Sequence, residues 1–525
     1  MSLNTGSRSK IGSKLVALFL ACLFGCTSGI QRSKQSGRTL TVAIESTPLA
    51  IDPRYATDVI SSRVNELIYD SLVRPDSRGG FDCDLAQSVE LATPTRWIFH
   101  LRRGVRFSNG APLSARDVKY TFDSVLDPRF ASIKRGGFEV LEQVEALDDF
   151  TVCLTTKKPF PATLELAALG IVPRNWPAAE AQAAPPGTGP FKLESFKRDD
   201  RIVLGRNPYW DGAKSNIERL VFKVIPDPIV RALELLKGEV DLAENNIPPE
   251  MVKYLSLRRS LQVITAPGVS YQYIVFNFRD PRLRDLRVRR AIAMSIDRAT
   301  IVKTILGGTA RLATGMLSPE NWAYEPEVMT YPYDPVTAER LLDEAGYKAA
   351  PNDKSKVRLT LVYKTTGDEE RRRLAQVFQA MLAKVGIRLD IRTNEWATFY
   401  SDIQHGNFEL ASLAWVGIND PHHYYTVFDS KMTPPRGSNR GSYANPEMDR
   451  LLERAESELN PENRRRLYSA VQKLAAADLP YVSLWWQDNV AVLNRRVKGF
   501  KPCLNGSLRS LVLVSFAGND QADGK

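Results

Sequence analysis

Histidine is nearly absent from this chain: 525 residues hold four, at positions 100, 405, 422 and 423. No His-Glu-x-x-His pair exists to seat a hydrolytic zinc, and Gly268-Val-Ser-Tyr-Gln272 breaks the Gly-x-Ser-x-Gly nucleophile elbow at its last position. A GxxxxGK[ST] phosphate loop is also missing, and the glycine-rich pieces lack the strand-to-helix setting that a dinucleotide site requires. These absences leave no candidate catalytic residue. Cysteine is equally thin, with five residues. Cys22 and Cys26 lie in or just after the amino-terminal apolar stretch. Cys83, Cys153 and Cys503 could form at most one disulfide, and no CxxC metal or redox pair exists. No metal site and no cofactor are expected. The net charge of +11 includes Arg8, Lys10 and Lys14 near the amino end, so the remainder carries +8 over 500 residues. Its densest basic stretch, Arg282–Arg290, contains Asp285, and the cluster 287–290 reads as the solvated outer face of a helix. A nucleic-acid surface needs a denser patch interleaved with aromatics, so no nucleic-acid partner is expected.

Long hydrophobic runs are missing too. Leu15 to Phe24 is ten residues, too short to span a bilayer but suited to a secretory signal, with the basic residues before it as its n-region. Leu23-Phe24-Gly25-Cys26 resembles the lipobox of bacterial lipoproteins. That resemblance implies a signal peptide over 1–25, lipidation of Cys26, a polar tether over 26–38 and a protein held at the membrane in the periplasm or cell envelope. Plain secretion with cleavage elsewhere is the alternative.

The rest of the chain alternates strand and helix patterns. Thr39–Ile44 has the period of a strand, and Ser62–Leu72 that of a helix. Trp97–Phe107 reads as two strands around Gly104, followed by a helix with Ser114 as N-cap and Asp117 at its third position. Val357–Tyr363, Glu369–Val385 and Ile387–Ile391 form a β-α-β crossover, hence a parallel pair. Phe408–Val416 is a further strand, stopped at Gly417 and Asp420-Pro421. Helices over 445–459 and 461–477 lead to the aromatic strand Tyr481–Trp486. Ala517–Lys525 is expected to fray.

Several motifs recur in a fixed order. FHLRRGVRFSNGAPLSARDVKYTFDSVLDP (99–128) is followed by Gly187-Thr-Gly-Pro-Phe191, Arg206-Asn-Pro-Tyr-Trp210, Gly238-Glu-Val-Asp-Leu242, Phe276-Asn277, DLRVRRAIAMSIDR (285–298) and NRGSYANPEMD (439–449). Together they resemble the family 5 extracellular solute-binding proteins, the oligopeptide, dipeptide and nickel receptors of ABC importers. The resemblance implies an α/β, two-lobed periplasmic-binding-protein fold of the class II type with an extra inserted domain. Lobe I would comprise 39–61, 186–280 and 487–525; the inserted domain 62–185; and lobe II 281–486. Pro267-Gly268 and Trp485–Asn489 would be the crossover strands that bend. The implied function is capture of a peptide or peptide-like solute in an interlobe cleft by a monomer that delivers it to an ABC permease. Alternatives are a non-transporting envelope lipoprotein of the same fold, or a receptor for a sugar derivative, nickel complex or haem.

The turn after Phe408–Val416 carries the best ligand candidates, because ligands of open α/β sheets bind beyond the carboxyl ends of the strands. Expected contacts are Trp415, Gly417, Ile418, Asn419 and Asp420, with Tyr271, Asn277, Asn439, Arg440, Trp485 and Glu45 around the same cleft. Packing of Trp415 in the core and a plain turn role for Asp420 are the structural alternatives. Peptide-binding members of the family carry an Asp three residues after the equivalent tryptophan, pairing with the peptide ammonium. Here that position is Ile418, which removes a charge-assisted bond of about 2–3 kcal/mol. His422-His423 reads as a solvated loop pair, since neighbours on an extended segment point oppositely.

Overall fold

The computed structural model describes residues 38–176, 185–349 and 356–517. The leader, Cys26, residues 27–37 of the tether and residues 518–525 lie outside them. No helix among the described residues is long and apolar enough to cross a membrane.

One mixed sheet organises the molecule. In chain order its strands are β1 (Thr39–Ile44), β2 (Phe191–Lys197), β3 (Arg201–Arg206), β4 (Arg219–Val224), β5 (Leu242–Glu244), β6 (Leu261–Phe276), β7 (Ala310–Leu312), β8 (Leu359–Thr366), β9 (Ile387–Asn394), β10 (Leu410–Trp415) and β11 (Tyr481–Asn494). Their spatial order is β9-β8-β10-β6-β11-β5-β1-β4-β3-β2, with β7 also pairing β11. Two parallel sets stand at opposite ends: β8 with β9 and β10, and β1 with β4 and β5. Between them run the long antiparallel strands β6 and β11.

Apolar side chains gather into separate cores along this sheet. Leu40, Val42, Leu204, Phe222 and Leu493 pack at one end, against helix α1 (Val59–Ile68) and residues 508–514. Ile292, Leu361, Phe378 and Leu484 form one core at the other end, and Tyr273, Leu413, Tyr468 and Trp486 another on the opposite face. A third region, with Leu72, Phe99, Phe122, Val152 and Ile171, belongs to a four-stranded antiparallel sheet over 86–156 covered by helix α2 (Ala115–Leu126). Asp117 Oδ2 accepts from both the backbone N–H and the hydroxyl of Ser114, closing the first turn of α2.

Two elements lie across the expected boundaries. Helix α1, which crosses the expected start of the inserted unit at 62, turns Ile60, Val64 and Leu67 into the β1 core. Strand β6 changes cores between Ile264 and Tyr271, about ten residues before the expected 280/281 border, because one strand serves both ends of the sheet. Its register slips between Ala266 and Ser270, opposite Gln487–Asn489 of β11. A Cβ at Gly268 would stand 2.2 Å from the Gln487 carbonyl oxygen, so only glycine fits the slip.

Other expectations change in detail. Only Arg96–Leu101 of the 97–107 stretch is a strand; after Gly104 (φ +82°) the chain loops, although Val105 and Phe107 stay buried. Arg289 is no solvated residue: it is 4% exposed and donates to the carbonyls of Leu283, Arg284, Asp478 and Leu479. Neighbouring Arg287 does sit at the surface, paired with Asp285 at 2.6 Å. The three cysteines of the described residues are free.

Candidate functional site

The two parallel sets aim their carboxyl ends at the same place. Trp415, the last residue of β10, stands opposite Tyr271, the second paired residue of β6 beyond the slip. Glu244, the last of β5, stands opposite Ala491 of β11, just past the slip on the other strand. Both sheet ends where α/β proteins take ligands therefore converge on the crossover. Glu45 follows β1 on one side and accepts from Asn246 Nδ2 at 2.8 Å. Glu244 is 6% exposed with both carboxylate oxygens unpartnered; burial pushes its carboxyl up to about 7.

The opposite wall is aromatic. Trp415 is half-buried and stacks on Tyr273 at 6.1 Å, while the ring of His423 meets it edge-on at 4.5 Å. Arg440 lies with Cζ 4.5 Å from the Trp415 ring centroid and 5.4 Å from that of Tyr400. Helix α3 of the inserted unit (Thr163–Ala167), α4 (Glu369–Ala383) and α5 (Trp396–His405) precede these elements in the chain. Helix α5 follows the carboxyl end of β9 directly, so Tyr400 reaches this wall, with half-exposed Trp396 stacked on it at 5.6 Å. Sequence reading missed Trp396, Tyr400 and Tyr273. The aromatic spacing of 396 and 400 on one helix face was the available signal.

Several expected contacts have other duties. Asn277 gives Nδ2 to the carbonyls of Gly406 and Phe408 and accepts the Arg279 N–H. Asn439 likewise ties the carbonyls of Asp429 and Tyr443 and accepts from Tyr443 N. Both amides are consumed in holding loops. Trp485 is buried on the far face of β11, in the core with Leu361; its neighbour Trp486 shares the Trp415 face, since strand side chains alternate. Tyr271 is buried, bonded to Ser483 Oγ at 2.7 Å. It borders a partly open pocket of about 50 Å³ with Arg298, Tyr331, Tyr424 and Gln472, room for a few waters and not for a peptide.

The turn after Trp415 is not an open floor. Gly417 takes φ +68°, Ile418 points into the core, and the Asn419 carbonyl accepts from Asn321 Nδ2. Asp420 is held by Arg464 of helix α8 (Pro461–Asp478) at 2.9 and 2.6 Å, and both side chains are buried. Its backbone N–H donates to Glu165 on α3. Nearby, Lys158 pairs with Glu456 of α7 (Pro446–Ser457) at 3.0 Å, Phe160 packs edge-on to His422, and Trp322 N donates to the Arg78 carbonyl. The inserted unit thus clasps this turn. Burial, then the adjacent Asp420 carboxylate, push the Glu165 carboxyl up to about 8. His422 and His423 are not a solvated pair: His423 begins helix α6 (His423–Phe428), and burial drives the two imidazoles down to about 4 and about 3, so both are neutral. Among the described residues no group of three or more His, Cys, Asp or Glu could hold a metal ion.

A family model described as "Bacterial extracellular solute-binding proteins, family 5 Middle" matches residues 81–433. The chain belongs to this family. The oligopeptide-binding protein AppA of Bacillus subtilis is 26% identical over 517 residues, covering 93% of this chain and 94% of the relative. The heme-binding protein A of Haemophilus influenzae is 27% identical over 515 residues, with 90% and 92% covered. Among solved structures, NikZ of Campylobacter jejuni in complex with Ni(L-His) superposes with a TM-score of 0.79 at 26% identity, covering 91% of this chain and 99% of that one. The fold is accordingly the two-lobed periplasmic-binding-protein type of that family.

Proposed function

We propose that this protein is the receptor component of an ABC importer, binding a peptide or peptide-like solute between two lobes and passing it unaltered to a membrane permease. Lobe I comprises the β1–β5 end of the sheet with residues 487–517. Lobe II comprises the β7–β10 end with α4–α8, and the unit over about 70–172 is inserted into lobe I. The single observation that carries the reading is the convergence of both carboxyl edges on a two-stranded crossover, at Tyr271 opposite Trp415 and Ala491 opposite Glu244. Two crossings with a register slip at Ala266–Ser270 suit a hinge, and a solute touching both edges favours the closed arrangement by its differential affinity. Trp415, Tyr400, Trp396 and Arg440 form the lobe II wall, and Glu45 and Glu244 the lobe I wall. Cys26 carries the lipid that keeps the receptor at the membrane, where the permease is. The protein acts as a monomer.

Ile418 at the position where peptide receptors keep a carboxylate favours a second reading, a solute without a free α-ammonium. Small-angle scattering of the full chain with and without a tripeptide library tests the receptor reading: the radius of gyration should shrink on loading. A particle of unchanged dimensions, together with no retained cargo in native mass spectrometry, would defeat it.

A further inference from the structure

Arg54, Arg231, Arg289, Arg298 and Arg464, buried or half-buried, each pair with a carboxylate or donate to backbone carbonyls, although the Nε atoms of Arg231 and Arg464 have no partner. Arg54 pairs with Asp52 at 2.6 Å, and Arg464 with Asp420 at 2.6 Å. Arg231 gives its guanidinium to the carbonyls of Ile225, Pro226 and Asn246, and Arg289 and Arg298 are likewise spread over several backbone carbonyls. Arg440 departs from the pattern. It is 7% exposed, yet its guanidinium forms no ion pair among the described residues and donates to no backbone carbonyl. The hydrogen bonds of its guanidinium are two long ones, to Tyr273 Oη at 3.4 Å and Tyr400 Oη at 3.3 Å.

The neighbours of Arg440 are unfilled in the same sense. Arg440 Nε, Trp415 Nε1 and His423 Nε2 are all buried without a hydrogen-bond partner. The first two can only donate, and the neutral His423 ring can donate from one nitrogen. Trp415 touches both other residues. Burial works against the Arg440 charge, but the phenols of Tyr273, Tyr481 and Tyr400 offset it and hold the guanidinium above its ordinary value, so it stays a cation. A desolvated cation without a counter-ion is costly, and the missing partner is an acceptor of unit negative charge.

We propose that Arg440, seated on Trp415 at the lobe II edge, is the specificity-determining residue that receives a carboxylate of the bound solute. The inference rests on the receptor reading above and names its substrate class. One guanidinium matches one carboxylate, in charge and in its two-pronged geometry. A phosphate dianion would leave a second charge unmatched on an otherwise aromatic wall. The solute is anchored by its acidic end.

The test uses the full chain and tripeptides with neutral side chains in two end-chemistries: N-acetyl tripeptide acids, which carry only a carboxylate, and tripeptide amides, which carry only an ammonium. Binding is read by native mass spectrometry and by quenching of tryptophan fluorescence. The acids should bind at least about tenfold more tightly than the amides. Arg440→Gln should abolish that preference, and Arg440→Lys should keep it at weaker affinity. Amides that bind as well as acids to the wild type, or a preference that survives Arg440→Gln, would overturn the inference and leave the receptor reading standing. Binding of neither series to the wild type would overturn both. The wild-type comparison needs no variant, so a folding failure of Arg440→Gln does not rescue the inference.

Discussion

Arg464 and Arg440 lie in the same lobe, both desolvated and both against aromatic rings. Arg464 grips Asp420 with two bonds and fixes the turn that the inserted unit clasps. The Arg440 guanidinium has the Trp415 ring and two phenols for company and no carboxylate. One region is electrostatically finished within the polypeptide, and the other is finished only by something added. On the proposed reading the difference separates a residue that holds the fold from one that receives cargo, where residue type and burial are the same.

The comparison breaks most visibly at Arg464. Arg464→Ala strands a buried Asp420 carboxylate and should cost about 3–5 kcal/mol in chemical denaturation, with affinity lost only through unfolding. A cost below about 1 kcal/mol would show that Asp420 is not committed to the turn. On the other side, Trp415→Ala removes one stacking surface and should weaken solute affinity about tenfold, near 1.4 kcal/mol, in calorimetric titration. Its melting temperature should move far less than that of Arg464→Ala. Unchanged affinity would take Trp415 out of the site.

A subtler effect concerns the clasp. Glu165 faces Asp420 and Arg464, and its carboxyl is raised from 4.5 to about 8 when packed there. Between those values the assembled contact holds a proton that the separated carboxylate has lost. The contact is therefore strongest at acid pH and weakens as pH rises through about 8. Scattering should show the compact form giving way over that window, and Glu165→Gln should flatten the dependence. The smallest effect belongs to Tyr400→Phe, which removes one long bond to Arg440. About twofold in affinity is expected by titration, and a tenfold loss would mean the phenol itself contacts solute.

Much of the architecture was legible because it is local. The β8–α4–β9 crossover shows in the period of Leu374, Phe378 and Leu382 between two apolar strands, and the Ser114–Asp117 cap in a four-residue spacing. The site was legible only in part. Trp415 and Arg440 were expected around one cleft, and their side chains touch, but Asn277 and Asn439 are spent on backbone. A buried amide and a ligand-binding amide look alike in one dimension. Trp485 and Trp486 were confused for a similar reason: both are apolar and adjacent, and the slip and bulge in β6–β11 set which one faces the cleft side.

Periodicity, turn residues and motif order determined the strands, the helices and the family, because each rests on contacts within a few residues along the chain. Which cations have partners was decided only in three dimensions. Arg464 and Asp420 are 44 positions apart, and nothing in either neighbourhood foretells their pairing or the solitude of Arg440. Charge compensation in a buried site depends on distance through a low-dielectric interior, and the fold sets that distance by bringing remote segments together.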